Sequence, residues 1–174
     1  MRILENELKL SVPISIAFTW FKDLDKNYLK WHPPTHHDFV WLSDKPIGKG
    51  SQFYFEEDIQ GHNHKMLMEI SEYVENVKLS FFSVRIQAKS KIVPDRFMSF
   101  LSSLFRIRIE ISRTFKSVSE NSTIIYTTHR FGCHIPLISK LVERFIDTFI
   151  FSSKYHENHM EEENEYMKSS LEVA

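Results

Sequence analysis

His159 and Glu163 stand four residues apart in a C-terminal stretch, Pro136 to about Leu171, that contains no glycine and no further proline. Four residues is close to one helical turn, so imidazole and carboxylate project together, as paired metal ligands do on the helix of zinc metalloproteases. The helix is read from Ile138, Leu141, Val142, Phe145 and Phe149, apolar positions that recur every three or four residues. At about 100° per residue, Ser152, His156, His159, Met160, Glu163 and Met167 lie within about 60° of Phe145 on the wheel. The apolar stripe therefore continues while its chemistry turns to imidazole and carboxylate. Glu157, Glu161, Glu162 and Glu165 point elsewhere, into water. A lone buried carboxylate is costly or neutralises, so an inward Glu163 requires a cation or a metal.

One helical pair does not complete a site, and strand alternation supplies the other candidates. In Phe53, Phe55, Glu57 and Ile59 the odd positions are apolar but for one glutamate, opposite Tyr54, Glu56, Asp58 and Gln60. Glu57 is thus expected inward and Glu56 outward. In the next strand His64 shares a face with Met66, Met68 and Ile70 and looks toward the same space. Ile125, Thr127, His129 and Phe131 oppose Ile124, Tyr126, Thr128 and Arg130, which places His129 inward. The rigid Pro33-Pro34 pair presents His32, His36 and His37 near the cavity mouth, where period-two reasoning cannot choose among them. Imidazole nitrogen and carboxylate oxygen are the donors that zinc and similar divalent ions prefer. The preferred ligand set is His36, Glu57, His129, His159 and Glu163, with His32, His64 and His156 as competitors or as groups that orient the ligands from behind.

The elements that must position these residues follow in chain order. Ile3 to Val12 alternates as a strand; Ile14 to Phe21 and Leu24 to Trp31 read as two short helices. Strand-like runs then cover His37–Leu42, Ser51–Ile59, His64–Tyr73, Lys78–Arg85, Arg106–Phe115 and Ser122–Phe131. Turn residues separate them at Gly48 and Gly50, Gly61 with Asn63, Glu75 with Asn76, and Glu120 with Asn121. The order is α+β: a curved antiparallel sheet of about seven strands wrapped around a long C-terminal helix, with two short helices after strand 1.

A chain of 174 residues reads as one domain, 1–174, large enough for a sizeable core or a cavity. A net charge of −1 and a pI near 6.8 argue against nucleic-acid binding. Cys133 is the only cysteine, so no intrachain disulfide forms and a reducing, cytoplasmic compartment is expected. Residues Arg2 to Lys9 lack the apolar run of a signal peptide, and no stretch reaches transmembrane length.

Particular words within that order resemble the Bet v 1-like or START-like helix-grip superfamily. They are Trp31-His32-Pro33 followed by His36, Gly48-Lys49-Gly50-Ser51 leading into Phe55-Glu56-Glu57, and His129 ahead of His159 and Glu163. In these the chain is similar to the metal-dependent 2,4-diacetylphloroglucinol hydrolases, in which a helix-grip cavity holds zinc through histidines and glutamates. The resemblance implies hydrolysis of a carbon–carbon bond next to a ketone on a phenolic ring.

Two bland readings compete. A single inward histidine is more often a satisfied core residue than a ligand, and Glu163 could pair without metal to Arg113, in phase with Ile107, Ile109, Ile111 and Phe115. Fifteen Phe, six Tyr and three Trp exceed what a small core needs, which favours a gap for an apolar ligand between sheet and helix. Residues 90–105, with Pro94, Phe97, Met98, Phe100, Leu101, Leu104 and Phe105 between basic residues, read as a lid, or else as a patch for a membrane surface or partner. Tyr54, Tyr73 and Tyr126 are the candidate proton donors. Two functions are expected from this: a zinc-dependent, or other divalent-metal, hydrolase of a small acyl-phenol or polyketide-like compound, or a carrier of a lipid, sterol or aromatic metabolite. A homodimer is left open.

Overall fold

A computed structural model describes residues 2–44, 46–59, 62–89, 100, 103–104, 107–133, 140–141, 143–144 and 153–172. The chain runs β1 (Arg2–Leu10), α1 (Ile14–Lys22), α2 (Leu24–Trp31), β2 (His36–Trp41), β3 (Gln52–Ile59), β4 (His62–Val74), β5 (Lys78–Lys89), β6 (Ile107–Ser119), β7 (Ser122–Cys133) and α3 (Ser153–Glu172). The expected element order holds through all of these. The proposed lid lies outside the described residues except for Phe100, Ser103 and Leu104, and the start of the long helix lies outside them except for 140–141 and 143–144.

All seven strands join one antiparallel sheet in the order β1-β7-β6-β5-β4-β3-β2. Successive strands from β2 to β7 are antiparallel neighbours, while α1 and α2 carry the chain from the β1 edge to the β2 edge. Register shifts in β2/β3, β4/β5 and β6/β7 mark bulges, which bend and twist strands and let a broad sheet curve. Gly50 has φ +87 in the turn before β3, a backbone region that favours glycine, and its N–H donates to Ile70 O at 2.8 Å.

Alternation decides which face is covered. Phe53, Phe55, Glu57 and Ile59 are buried in β3, and Ile109, Arg113 and Phe115 in β6. The covered face meets α3 through Met160, Met167 and Leu171, and the helix is tied to β1 by Asn164 on Asn6 and by Ser11 N–H on Glu172 Oε1 at 2.7 Å. Under α1 and α2, Phe18, Trp20, Phe21 and Trp31 pack edge to face, geometry that adds to their area burial. Among the described residues no helix is long and apolar enough to cross a membrane.

Candidate metal centre

His36 reaches the interior because β2 is bulged. The register steps from His36↔Glu57 to Asp38↔Glu56, so His37 is the extra residue. Bulges re-aim side chains: His36 is buried beside Glu57, whereas exposed His37 pairs with Asp58 at 3.0 Å. Nδ1 of His36 donates to the Tyr28 carbonyl at 2.8 Å. A carbonyl only accepts, so Nε2 is the nitrogen left to face Glu163 Oε1 at 3.1 Å and Glu57 Oε2 at 3.7 Å. Two carboxylates around that nitrogen call for a positive charge there, either a proton or a metal ion.

One turn of α3 brings His159 to the same point. Its Nε2 lies 3.7 Å from Glu163 Oε1 and makes no hydrogen bond among the described residues. One ligand atom from each of His36, Glu57, His159 and Glu163 lies within 4.8 Å of the others, and all four residues are buried. Tetrahedral bonds of about 2.0–2.2 Å imply ligand–ligand edges of about 3.3–3.6 Å; the observed 3.1 and 3.7 Å bracket that range. The donor set therefore fits zinc or a similar divalent ion.

The two carboxylates differ. Burial pushes Glu57 up to about 7, with the Glu163 charge adding to it and His36 opposing. Burial also acts against ionised Glu163, but the His36 hydrogen bond and the charges of His159, His36 and Arg113 prevail and hold it at about 2. His36 is raised: burial disfavours its cation, and the hydrogen bond and charge of Glu163 outweigh that.

A second histidine group lines the same cavity. His129 Nδ1 and His156 Nε2 share a hydrogen bond at 2.9 Å. Burial first, then neighbouring positive charge, depresses His129 well below its usual value; burial brings His156 to about 4. Both are neutral at pH 7. The sequence reading placed His129 in the ligand set, but the structure pairs it with His156, outside the four-ligand group.

The direct Arg113–Glu163 pair does not form among the described residues. The guanidinium instead lies 4.7 Å from the ring centres of Phe21 and Trp31 and 5.3 Å from that of Phe81. It faces Glu163 and Glu57 only through their charges, and burial lowers it to about 10, so it stays a cation.

The remaining candidates fall around this centre. Buried His32 sits at its rim, with Nδ1 on Thr35 Oγ1 and Nε2 3.2 Å from Glu162, and it forms a second possible group with His159 and Glu162. His64 is wholly buried, in register with Glu57, but outside the cavity lining. The three proposed tyrosines are not in that lining either. Tyr54 donates to Glu56 at 3.0 Å, Tyr73 packs edge-on against Phe18 and Tyr126 is exposed. They stand on the wrong side of the alternation or beyond the cavity's end.

The tyrosine that does line the cavity is Tyr28, whose ring stacks on His36 at 4.0 Å. Burial, then Glu57 and Glu163, pushes its hydroxyl well above the usual value, so it remains a proton donor. The four-residue step from Leu24 to Tyr28, followed by Trp31, was the available signal that it faced inward.

The cavity itself measures about 60 Å³. It is bounded by aromatic and aliphatic side chains, with Glu57, Glu163, Arg113 and His129, His156 and His159 as its polar groups.

Fold and site together define a sheet gripping a helix around a small, mostly apolar cavity with a polar cluster at one side. That is the helix-grip fold of the Bet v 1 and START proteins. The chain superposes on a START superfamily protein from Mycobacterium smegmatis with a TM-score of 0.68, 12% identity and coverage of 98% of this chain and 97% of that one. On major latex-like protein 151 from Panax ginseng the values are 0.69, 10%, 98% and 97%. On norcoclaurine synthase from Thalictrum flavum, in complex with dopamine and hydroxybenzaldehyde, they are 0.60, 10%, 98% and 86%. No protein-family model matches the chain, and no curated protein matches it by sequence.

Proposed function

We propose that this protein is a metal-dependent hydrolase that cleaves the carbon–carbon bond between a phenolic or polyketide-like ring and a ketone carbonyl. The observation that carries the proposal is the convergence of His36, Glu57, His159 and Glu163 on one buried point. These four would hold zinc or another divalent ion, which when bound supplies Lewis acidity toward a carbonyl and lowers the pKa of water.

The chain's own groups complete the chemistry. The Tyr28 carbonyl fixes the tautomer of His36. The neutral His129–His156 pair lies in the cavity wall and can accept a proton from attacking water and pass it along their shared hydrogen bond. Water's hydroxyl ends on the acyl carbon, giving a carboxylic acid, and its proton ends on the ring carbon as the bond between them breaks. Tyr28, which lines the cavity where Tyr54, Tyr73 and Tyr126 do not, would donate a hydrogen bond to the leaving ring. Since a water occupies roughly 10–15 Å³ by this measure, a cavity of about 60 Å³ takes a few waters. A ring-sized substrate must displace side chains, and flexible Met66 is the lining residue best able to yield.

The apolar lining also suits non-catalytic carriage of a lipid, sterol or aromatic metabolite, and metal analysis separates the two. Protein purified without chelator or affinity-tag metal should contain near one equivalent of zinc, iron, manganese or nickel. It should convert an acylphloroglucinol to the free acid and the deacylated ring, and lose that activity on chelation. Substoichiometric metal with no turnover on reloading would leave the carrier reading.

A further inference from the structure

Among the described residues Arg113 is a buried cation without a counter-ion in contact. It is 3% exposed, its guanidinium is enclosed by Phe21, Trp31 and Phe81, and Nη1 makes no hydrogen bond. Aromatic faces attract a cation but cannot accept its in-plane N–H bonds. A second orphan donor is adjacent: Trp31 Nε1 is buried and also has no partner among the described residues. Arg113 and Trp31 line both the main cavity and a smaller one beside it, bounded by Asn6, Thr127 and Asn164. Native proteins rarely leave buried donors unsatisfied, and such groups often mark the place of a ligand.

The charges of the site point the same way. With a divalent cation on the four ligands, which rests on the function proposed above, the buried groups sum as follows. The ion brings two positive charges and Arg113 one; Glu57 and Glu163 bring two negative. One positive charge remains in a mostly apolar cavity, a strongly unfavourable state unless it is offset.

We propose that Arg113 and Trp31 form a recognition site for one anionic oxygen, so that the ligand of this cavity is a monoanion such as a phenolate or an arenecarboxylate rather than a neutral lipid or sterol. The ligand's anionic oxygen accepts from the guanidinium fork and the indole N–H, while its apolar body lies against Phe53, Phe55 and Phe81. In the hydrolase this orients a ring in its phenolate form. Arg113 acts here in binding, and the four metal ligands are left unchanged.

The test uses 4-fluorobenzoate and its neutral near-isostere 4-fluorobenzamide, followed by ¹⁹F NMR on zinc-loaded and on chelator-treated protein, with zinc content measured for every sample. Wild-type protein should favour the anion by about tenfold or more, the factor one charge-assisted hydrogen bond supplies. R113M should abolish the preference while keeping its zinc, and W31F should reduce it. The wild-type ratio is read without any variant, so a misfolded R113M does not remove the test. Equal binding of the two probes, absence of anion binding, or a preference that survives in folded R113M overturns the proposal. Failure of the metal reading would show separately, as missing zinc. In that event an Arg113-dependent anion preference in the zinc-free protein sustains the recognition site, and its absence there ends it.

Discussion

His36, among its carboxylates, and the His129–His156 pair are buried close together and are held in opposite states. His36 lies against two carboxylates and is raised, with Glu163 favouring its cation. His129 and His156 lie against each other, near Arg113, and burial holds both neutral. The residue type is the same and the separation is a few side chains; what differs is the neighbour. A carboxylate in hydrogen-bond contact favours the imidazolium, and burial beside another imidazole disfavours it. This division of labour is what makes the cavity a candidate reaction site rather than a store of core histidines.

The largest effects should come from removing the carboxylate that defines the first group. Glu163→Gln keeps the shape and removes the charge, so zinc affinity should fall by more than the roughly 10–100-fold typical of losing a partner behind a ligand. Glu163→Ala, measured in metal-free protein by denaturant melting, should cost on the order of 3–5 kcal/mol, because it breaks the buried His36–Glu163 pair. His129→Gln should leave zinc stoichiometry unchanged and affinity within about tenfold of wild type, a difference worth no more than 1.4 kcal/mol. If His129→Gln loses zinc as Glu163→Gln does, the two groups are one site and the comparison breaks.

The second group should show itself in acid. A histidine depressed in the folded state stabilises the fold only while neutral. Its contribution is fully present above the unfolded value of about 6.5 and is lost as pH falls toward the folded value, about 4 for His156. Stability should therefore decline between about pH 6.5 and 4, with His156 contributing on the order of 3 kcal/mol. His156→Gln, which can still hydrogen-bond His129, should flatten that decline in melts recorded across the window. An unchanged acid limb would mean that His156 titrates as an ordinary exposed imidazole.

Much of this arrangement was legible in the residues. The turn-spaced His159 and Glu163, the lone inward Glu57 on an apolar strand face and the inward phase of Arg113 each follow from periodicity, and the structure buries all of them. The element order was readable because turn residues punctuate each strand. What escaped was whatever depends on tertiary detail. The choice of His36 over His32 and His37 rests on a bulge that period-two counting cannot see. The pairing of His129 with His156 depends on how α3 sits across β7. The alternative pairing of Arg113 with Glu163 does not form among the described residues, because three aromatic rings from α1, α2 and β5 hold the guanidinium. Tyr28 stands on a helix, where strand alternation carries no signal, whereas Tyr54, Tyr73 and Tyr126 stand on strands.

Tyr28 supplies the smallest and most local test, because it touches the first group without belonging to it. Its ring stacks on His36, and its hydroxyl hydrogen-bonds the Glu57 carboxylate and lies 3.5 Å from the Glu56 carbonyl, too long for a strong bond. Tyr28→Phe preserves the stack and removes only the hydroxyl, so stability should change by about 1 kcal/mol or less and zinc should remain bound. If the hydroxyl donates to the departing ring, turnover of an acylphloroglucinol should fall about tenfold, the kinetic equivalent of one hydrogen bond. Tyr54→Phe, Tyr73→Phe and Tyr126→Phe should leave turnover unaltered, since their side chains lie outside the cavity lining. A rate loss in any of those three with none in Tyr28→Phe would move the proton donor out of this cavity. The His129–His156 pair would then be the only proton-transferring group assigned to it.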